Sequence, residues 1–154
     1  MKALITGASS GMGRDMAKIL SQKGYDLILV ARDEKKLEEV KKQLKTETKI
    51  VVMDISKEEN CKKIYEENKD IDILINNAGF GDCGHFEETS LDKDIQMIHT
   101  NIIAYHILTK LYLKEMIKKD SGKILNVASI AGFMPGPLMT TYYSTKNYVV
   151  RFSE

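Results

Sequence analysis

A turn rich in glycine and hydroxyl side chains follows the first apolar run of the sequence. The turn is Thr6–Gly13 (TGASSGMG), and a helical pattern begins inside it at Gly11. Glycines at such a turn permit the tight reversal, the approach of backbone N–H groups to a phosphate, and close packing of helix on strand. The helix N-terminus adds partial positive charge. The residues expected to contact a pyrophosphate are Gly7, Ser9, Ser10, Gly11, Met12 and Gly13.

The spacing of the glycines distinguishes a dinucleotide-binding turn from a P-loop. Its glycines follow a G-x-x-x-G-x-G pattern and lack the G-K-[ST] ending of a P-loop, which argues against an ATPase, a GTPase or a kinase-like protein. The pattern lies between a strand and a helix, which is the context that dinucleotide binding requires. A plain strand-to-helix turn is the alternative.

The end of the second apolar run indicates which dinucleotide is bound. An acidic residue there would bind the ribose 2′-hydroxyl of NAD, whereas an arginine accepts the 2′-phosphate of NADP. Arg32 occupies this position, and its guanidinium suits a phosphate. Asp33 follows directly, where it can cap the next helix. The sequence therefore favours NADP(H) over NAD(H).

Short apolar runs that alternate with amphipathic stretches predict the elements that position these residues. The predicted strands are Ala3–Ile5, Asp26–Val30, Lys49–Met53, Ile71–Ile75 and Lys123–Val127. Strands of this kind, separated by helices, form a parallel sheet that is covered on both faces. Right-handed crossovers then favour an α/β, doubly wound Rossmann fold in the order 3-2-1-4-5, with the sixth strand position missing.

The helical patterns give more local predictions. Asp33 is expected to cap the second helix, and Ser56 the third, with Glu59 at the capping-box position. The predicted apolar faces are Met12, Met16, Ile19 and Leu20 in the first helix, and Ile95, Ile98, Ile102 and Tyr105 or His106 in the helix from Leu91 to about Lys118.

Composition narrows the class of protein. The chain has 154 residues, enough for one domain, and a formal net charge of +1, which gives no electrostatic reason to expect nucleic acid or an anionic membrane as a partner. Its two cysteines, Cys61 and Cys83, form no metal or disulfide framework, and no run is apolar enough to span a bilayer. The three histidines match no metal spacing. We therefore expect a cytoplasmic protein without a metal site.

Several motifs together resemble the short-chain dehydrogenase/reductase family over essentially the whole chain. In chain order they are Thr6–Gly13, Asp54-Ile55, Asn76-Asn77-Ala78-Gly79, Asn101, and Ser129 followed by Tyr142-x-x-x-Lys146. The resemblance implies an oxidoreductase that interconverts a ketone or aldehyde and an alcohol. It also implies that Asp54 and Ile55 flank the adenine and that Asn77, Ala78 and Gly79 form the loop beneath the adenosine.

The resemblance also assigns the catalytic residues. Tyr142 would be the general acid/base, and the cation of Lys146, one helical turn away, would favour its phenolate form. Lys146 would also hold the nicotinamide ribose. Ser129 would hydrogen-bond the substrate oxygen, and Asn101 would support a proton relay. Tyr142 is preferred to its neighbour Tyr143 because only Tyr142 stands four residues before Lys146.

Each of these residues has a structural alternative. The tyrosines could be core aromatics, Lys146 a surface lysine, Ser129 a turn cap and Asn101 a helix-surface residue. An apolar wall of Phe133, Met134, Pro135, Leu138 and Met139 favours a hydrophobic carbonyl substrate, although core packing explains these residues equally well.

The family resemblance predicts more chain than is present. Family members continue past the Tyr-Lys helix with a further strand and the part that closes the substrate pocket. The 154 residues are thus expected to be an incomplete NAD(P)-binding domain with an exposed fifth strand and weak or absent turnover on their own. The resemblance also implies a homodimer. The alternative function is a catalytically inactive nucleotide-binding module.

Overall fold

The computed structural model describes residues 1–154, which form a five-stranded parallel sheet with helices on both faces. The strands are β1 (Lys2–Thr6), β2 (Asp26–Ala31), β3 (Thr48–Val52), β4 (Ile73–Asn76) and β5 (Lys123–Asn126). Their order is β3-β2-β1-β4-β5, and every neighbouring pair is parallel. The predicted Rossmann fold and strand order are confirmed. The carboxyl ends of β1 and β4 meet at the centre, where such sheets bind ligands.

Six α-helices connect and follow the strands. They are α1 (Gly11–Gln22), α2 (Glu34–Lys41), α3 (Glu58–Glu67), α4 (Leu91–Ile98), α5 (Ala104–Lys118) and α6 (Thr140–Ser153). A π-helical turn, His99–Ile103, joins α4 to α5, and a 3₁₀ turn, Ile130–Gly132, precedes α6. One apolar core lies on each face of the sheet, the first around Leu4 and Leu74 and the second around Ile5 and Leu29.

The predicted apolar face of α1 is confirmed for half of its residues, because Met16 and Leu20 are partly buried and pack against the second core. Met12 and Ile19 are 64% and 52% exposed, whereas the buried residues are Gly13, Ala17 and Ser21. These small residues recur every fourth position along one side of the helix. They allow the α1 backbone to lie close to the sheet, and this contact between backbones has no hydrophobic signature in the sequence.

The predicted face of the long helix is also displaced. Ile95 is 46% exposed, while Met97, Asn101 and Tyr105 are buried. The isoleucines follow the period of a regular helix, but the π-helical turn at His99–Ile103 interrupts that period. Of the predicted set, Tyr105 alone is fully buried.

One of the two predicted helix caps is confirmed. The Asp33 carboxylate accepts a hydrogen bond of 3.1 Å from the Lys36 N–H at the start of α2. Ser56 does not cap α3, whose N-cap residue is Lys57. The reason is that the Asp54 carboxylate accepts the N–H of Ser56 at 3.0 Å, and this turn delays the start of the helix.

Candidate active site

The glycine turn adopts a backbone that needs its glycines. Gly7 and Gly11 have φ values of +66° and +52°, in the left-handed region that favours glycine. A Cβ atom at Gly13 would collide with the carbonyl oxygen of Gly7 and lie 2.6 Å from Nδ2 of Asn77, so α1 packs directly against the turn. The three glycines thus hold the start of α1 over the carboxyl end of β1.

The N-terminus of α1 presents backbone donors that no protein atom uses. Ser10 is the N-cap residue, but its side chain makes no capping hydrogen bond, and the first turn carries no acidic residue. The N–H groups from Ser9 to Gly13 have no acceptor in the protein. Unpartnered N–H groups at the positive end of a helix dipole suit an anion. The turn therefore fits a pyrophosphate.

A threonine hydroxyl joins the two central strands beside this turn. Thr6 Oγ1 accepts the N–H groups of Asn77 and Ala78, at 3.0 and 3.1 Å. In return, Asn77 Nδ2 donates to the carbonyl oxygens of Thr6 and Gly7, at 3.0 and 3.2 Å. Asn77 thus supports the glycine turn through its side chain. The sequence prediction named Thr6 as part of the motif but did not assign it this contact.

A cleft of about 930 Å³ runs along the carboxyl edge of the sheet from this turn. Every predicted cofactor contact except Gly13, Tyr142 and Lys146 lines it: Gly7, Ser9, Ser10, Gly11, Met12, Arg32, Asp54, Ile55, Asn77, Ala78 and Gly79. Gly13 is buried behind the turn, and Tyr142 and Lys146 line the pocket that adjoins the cleft. The residues predicted from scattered motifs therefore border one continuous depression.

One corner of the cleft is lined by three cations, Arg32, Lys35 and Lys36, and by two carboxylates, Asp33 and Glu34. Arg32 is exposed and makes no hydrogen bond or ion pair with the protein. Asp33 is engaged by Lys36, whose N–H hydrogen bond, together with its nearby charge, lowers the pKa of the Asp33 carboxyl. The Arg32 guanidinium is therefore free for an anionic ligand.

A second pocket, of about 600 Å³, adjoins the cleft and shares Met12, Asn77, Gly79 and Phe80 with it. Tyr142 and Lys146 line this pocket together. Lys146 is only 4% exposed, and its Nζ donates to the carbonyl oxygen of Val127 at 2.8 Å. Burial lowers the pKa of Lys146. Its Nζ lies 6.0 Å from the centre of the Tyr142 ring. Because Lys146 is buried, the surface-lysine alternative is wrong.

Tyr142 and Tyr143 point to different places. The Tyr142 ring lies against Gly81 in the wall of this pocket, where a Cβ atom would be 3.1 Å from the ring. The Tyr143 ring covers Gly136, in the loop before α6. The two rings are nearly perpendicular, with centres 6.3 Å apart. Tyr142 alone therefore shares the pocket with Lys146.

Asn101 is fully buried in the π-helical turn, which rules out the helix-surface alternative. Its Oδ1 accepts the N–H of Phe80 at 3.2 Å, and its Nδ2 donates to the carbonyl oxygen of Phe80 at 2.9 Å. The same Nδ2 also donates to Thr145 Oγ1 at 3.0 Å. Asn101 therefore joins the loop after β4 to α6. Thr145 was not identified from the sequence, because it belongs to none of the motifs.

Ser129, like the buried Asn101, is a predicted catalytic residue that does not line this pocket. It caps the 3₁₀ turn after β5, and its Oγ accepts the N–H of Ala131 at 3.1 Å. Its neighbours Val127 and Ala128 do line the pocket. Ser129 thus stands at the pocket's edge in the turn-capping role that was its structural alternative.

Three further observations concern metal ligands, membrane-spanning helices and cysteines. No group of three or more histidine, cysteine, aspartate or glutamate side chains is placed to hold a metal ion. None of the helices combines the length and apolar character that crossing a bilayer requires. Cys61 is buried and Cys83 is exposed, and both are unpaired.

Comparison with known proteins identifies relatives of this chain. Residues 1–154 match the short chain dehydrogenase family. The chain is 36% identical over 165 residues to a very-long-chain 3-oxoacyl-CoA reductase of Anas platyrhynchos, covering 98% of this chain and 52% of that protein. It is 35% identical to an uncharacterized oxidoreductase of Staphylococcus epidermidis, covering 94% of this chain and 64% of the relative.

Solved structures give the same result. A short-chain dehydrogenase from Sphingobium yanoikuyae in complex with NADPH superposes with a TM-score of 0.92 at 30% identity, over 99% of this chain and 62% of that one. A bulky-bulky ketone specific alcohol dehydrogenase from Comamonas testosteroni also gives 0.92 at 30% identity, over 99% and 64%. The chain thus spans about half to two thirds of the length of these relatives.

Proposed function

Because this chain belongs to the short-chain dehydrogenase family, we propose that it forms the cofactor-binding and catalytic part of an oxidoreductase that interconverts a ketone or aldehyde and an alcohol with NADP(H). One observation carries the proposal. Tyr142 and Lys146 line a single pocket that opens into the cleft beneath the glycine turn. In this proposal Tyr142 is the proton donor at one end of the groove that holds the dinucleotide.

The residues of the groove suggest how a dinucleotide is held. The free N–H groups between Ser9 and Gly13 would bind the pyrophosphate, and Asp54 and Ile55 would flank the adenine. Lys146 would hold the nicotinamide ribose. When bound, the cofactor supplies or accepts the hydride, and the protein contributes position, charge and the proton.

Proton transfer would use the groups around the second pocket. In reduction, the Tyr142 hydroxyl donates its proton to the carbonyl oxygen, and the Lys146 cation stabilises the phenolate that remains. The Ser129 Oγ accepts the Ala131 N–H, so its own proton stays available to donate to the substrate oxygen. Asn101 would support a relay that returns the proton.

A preference for NADP(H) over NAD(H) is supported by the corner at Arg32. Arg32 has no protein partner there, and Lys35 and Lys36 add positive charge beside the carboxylates of Asp33 and Glu34, of which Asp33 is held by Lys36. A 2′-phosphate would give the free Arg32 guanidinium an anionic partner. The solved relative from Sphingobium yanoikuyae, which was determined with NADPH, agrees with this preference.

The substrate is proposed to be a hydrophobic carbonyl compound. Met139 lines the second pocket, whereas Phe133, Met134 and Leu138 of the predicted apolar wall do not line it and are 73%, 55% and 44% exposed. Such exposure disfavours core packing as their role. The names of two relatives, a 3-oxoacyl-CoA reductase and a bulky-bulky ketone specific dehydrogenase, point to the same class.

The proposal extends to assembly and location. Leu91, Ile95, Leu113 and Ile117 expose apolar surface along α4 and α5, which supports a homodimer through the long helix. Sedimentation velocity tests the proposed homodimer. A dimer would support it, and a monomer at every protein concentration would contradict it. The two unpaired cysteines agree with a reducing, cytoplasmic location.

Two measurements on the purified protein test the proposed reaction. NADPH fluorescence titration measures binding, and NADPH oxidation with a panel of aliphatic and aromatic ketones measures turnover. Turnover that Tyr142→Phe abolishes and Tyr143→Phe retains supports the proposal. Because the 154 residues alone are expected to turn over weakly, activity is judged against that of Tyr142→Phe. Tight NADPH binding with no activity above that variant would instead favour a catalytically inactive binding module, and loss of activity only in Tyr143→Phe would overturn the assignment of Tyr142.

A further inference from the structure

A buried threonine lies between the predicted relay residue and the Tyr-Lys helix. Thr145 is 1% exposed, and it stands between Tyr142 and Lys146 on α6. Its hydroxyl accepts from Asn101 Nδ2 at 3.0 Å and donates to the carbonyl oxygen of Tyr142 at 2.8 Å. The hydrogen bond to Asn101 is buried, and the one to Tyr142 is partly buried.

Asn101 uses its whole carboxamide in this arrangement. The Oδ1 atom accepts from the Phe80 N–H, and the two protons of Nδ2 go to the Phe80 carbonyl and to Thr145. The loop after β4, the π-helical turn and α6 therefore share one chain of hydrogen bonds. Phe80 in this chain is a wall residue of both the cleft and the second pocket.

The geometry points to Thr145 as a positioning residue that sets where α6 directs Tyr142 and Lys146. This inference rests on the proposed function. Thr145 touches neither the cleft nor the second pocket, so it acts through the helix that carries the two pocket residues. The same contact fixes the distance of α6 from the loop at Gly79 and Gly81, where a Cβ atom would lie 3.6 Å from Lys146 Nζ and 3.1 Å from the Tyr142 ring.

An alternative partner for Asn101 is not at hand. Asn101 is fully buried, so if the threonine hydroxyl is removed, one Nδ2 proton is left without an acceptor. Valine has the shape of threonine without the hydroxyl, whereas serine keeps the hydroxyl and loses only a methyl group. The pair Thr145→Val and Thr145→Ser thus separates the hydrogen bond from the packing.

A remote variant provides the control for lost stability. Tyr112 is fully buried in α5, and its hydroxyl donates to the carbonyl oxygen of Asn68 at 3.1 Å, away from both pockets. Tyr112→Phe also deletes a buried hydroxyl, but one that bonds α3 rather than α6. If Thr145 contributes only to stability, Thr145→Val and Tyr112→Phe should have the same exchange and kinetic properties when they lower Tm by the same amount.

The first readout needs no turnover. Hydrogen–deuterium exchange of the purified protein follows residues 76–85 and residues 140–148. We expect Thr145→Val to accelerate exchange in both segments, Thr145→Ser to restore protection, and Tyr112→Phe to leave both segments unchanged. Unchanged exchange in Thr145→Val, or faster exchange confined to α6, would overturn the coupling.

The second readout is kinetic. In Thr145→Val we expect kcat for ketone reduction to fall roughly tenfold or more, with the Kd for NADPH changed less than about twofold, and Thr145→Ser to recover most of kcat. A kcat that is unaffected in Thr145→Val, or that falls equally in Tyr112→Phe, would reject the positioning role. If no variant and no wild-type protein turns over a carbonyl compound, the proposed reaction fails, and the exchange result alone decides the coupling.

Discussion

Replacing Arg32 by alanine should separate the two nicotinamide cofactors. Arg32 is exposed at the corner of the cleft and has no protein partner, so its removal breaks no contact within the fold. The Asp33 carboxylate remains bound to the Lys36 N–H at 3.1 Å, which preserves the cap of α2. The variant should therefore unfold at the same temperature as the wild type.

The size of the effect follows from the lost contact. A hydrogen bond to a charged group contributes about 1.5–3 kcal/mol, which corresponds to roughly a 10- to 150-fold change in Kd. Lys35 and Lys36 stay in the cleft and retain part of the attraction, so we expect the lower half of this range for NADPH. NADH lacks the 2′-phosphate, and its Kd should change less than about twofold.

Fluorescence titration with NADPH and NADH measures both constants. Lys41→Ala is the matched control. Lys41 lies in the last turn of α2, the helix that follows Arg32, and it does not line the cleft. The control should bind both cofactors like the wild type. Equal Kd values for NADPH and NADH in the wild type, unchanged in Arg32→Ala, would refute the reasoning.

Three further predictions concern the glycine turn, the buried lysine and the core. Gly13→Ala should weaken NADPH binding and lower the free energy of unfolding by about 1–3 kcal/mol in denaturant, because the added Cβ would collide with the backbone carbonyl oxygen of Gly7; unchanged binding would contradict the packing. Burial lowers the pKa of Lys146, so the unfolded chain binds the proton more tightly than the folded chain does. The stability of the wild type should therefore rise relative to that of Lys146→Met as the pH increases from about 7 towards about 10. A stability difference between the two proteins that does not depend on pH would count against this burial. Leu74→Ala, at a fully buried position of β4, should cost about 2–5 kcal/mol in the same unfolding assay, and a loss under 1 kcal/mol would place Leu74 outside the core.

The strand order was predictable because each strand is a continuous apolar run and because right-handed crossovers leave few arrangements. The helix faces were predicted only in part. Met16 and Leu20 of α1 pack against the core as expected, but the fully buried positions are Gly13, Ala17 and Ser21, small residues that hydrophobic periodicity does not detect. The π-helical turn at His99–Ile103 shifts the face of the long helix and has no sequence signature that we recognised.

The candidate site divides in the same way. Residues that carry a motif, such as Arg32, Tyr142 and Lys146, were assigned from the sequence, and they line adjoining pockets. The hydrogen bonds that position them were not, because Thr6 meets Asn77 across 71 residues and Asn101 meets Thr145 across 44. Contacts of this range depend on the folded arrangement of strands and helices rather than on local spacing.

The central claim is that Tyr142 and Lys146 face the reactive end of a nucleotide held along the carboxyl edge of the sheet. A crystal structure of the protein with NADPH tests it most directly. We expect the pyrophosphate on the N–H groups of Ser9 to Gly13 and the nicotinamide ribose within hydrogen-bond distance of Lys146 Nζ. A nucleotide bound outside this groove, or one whose nicotinamide points away from Tyr142, would contradict the claim.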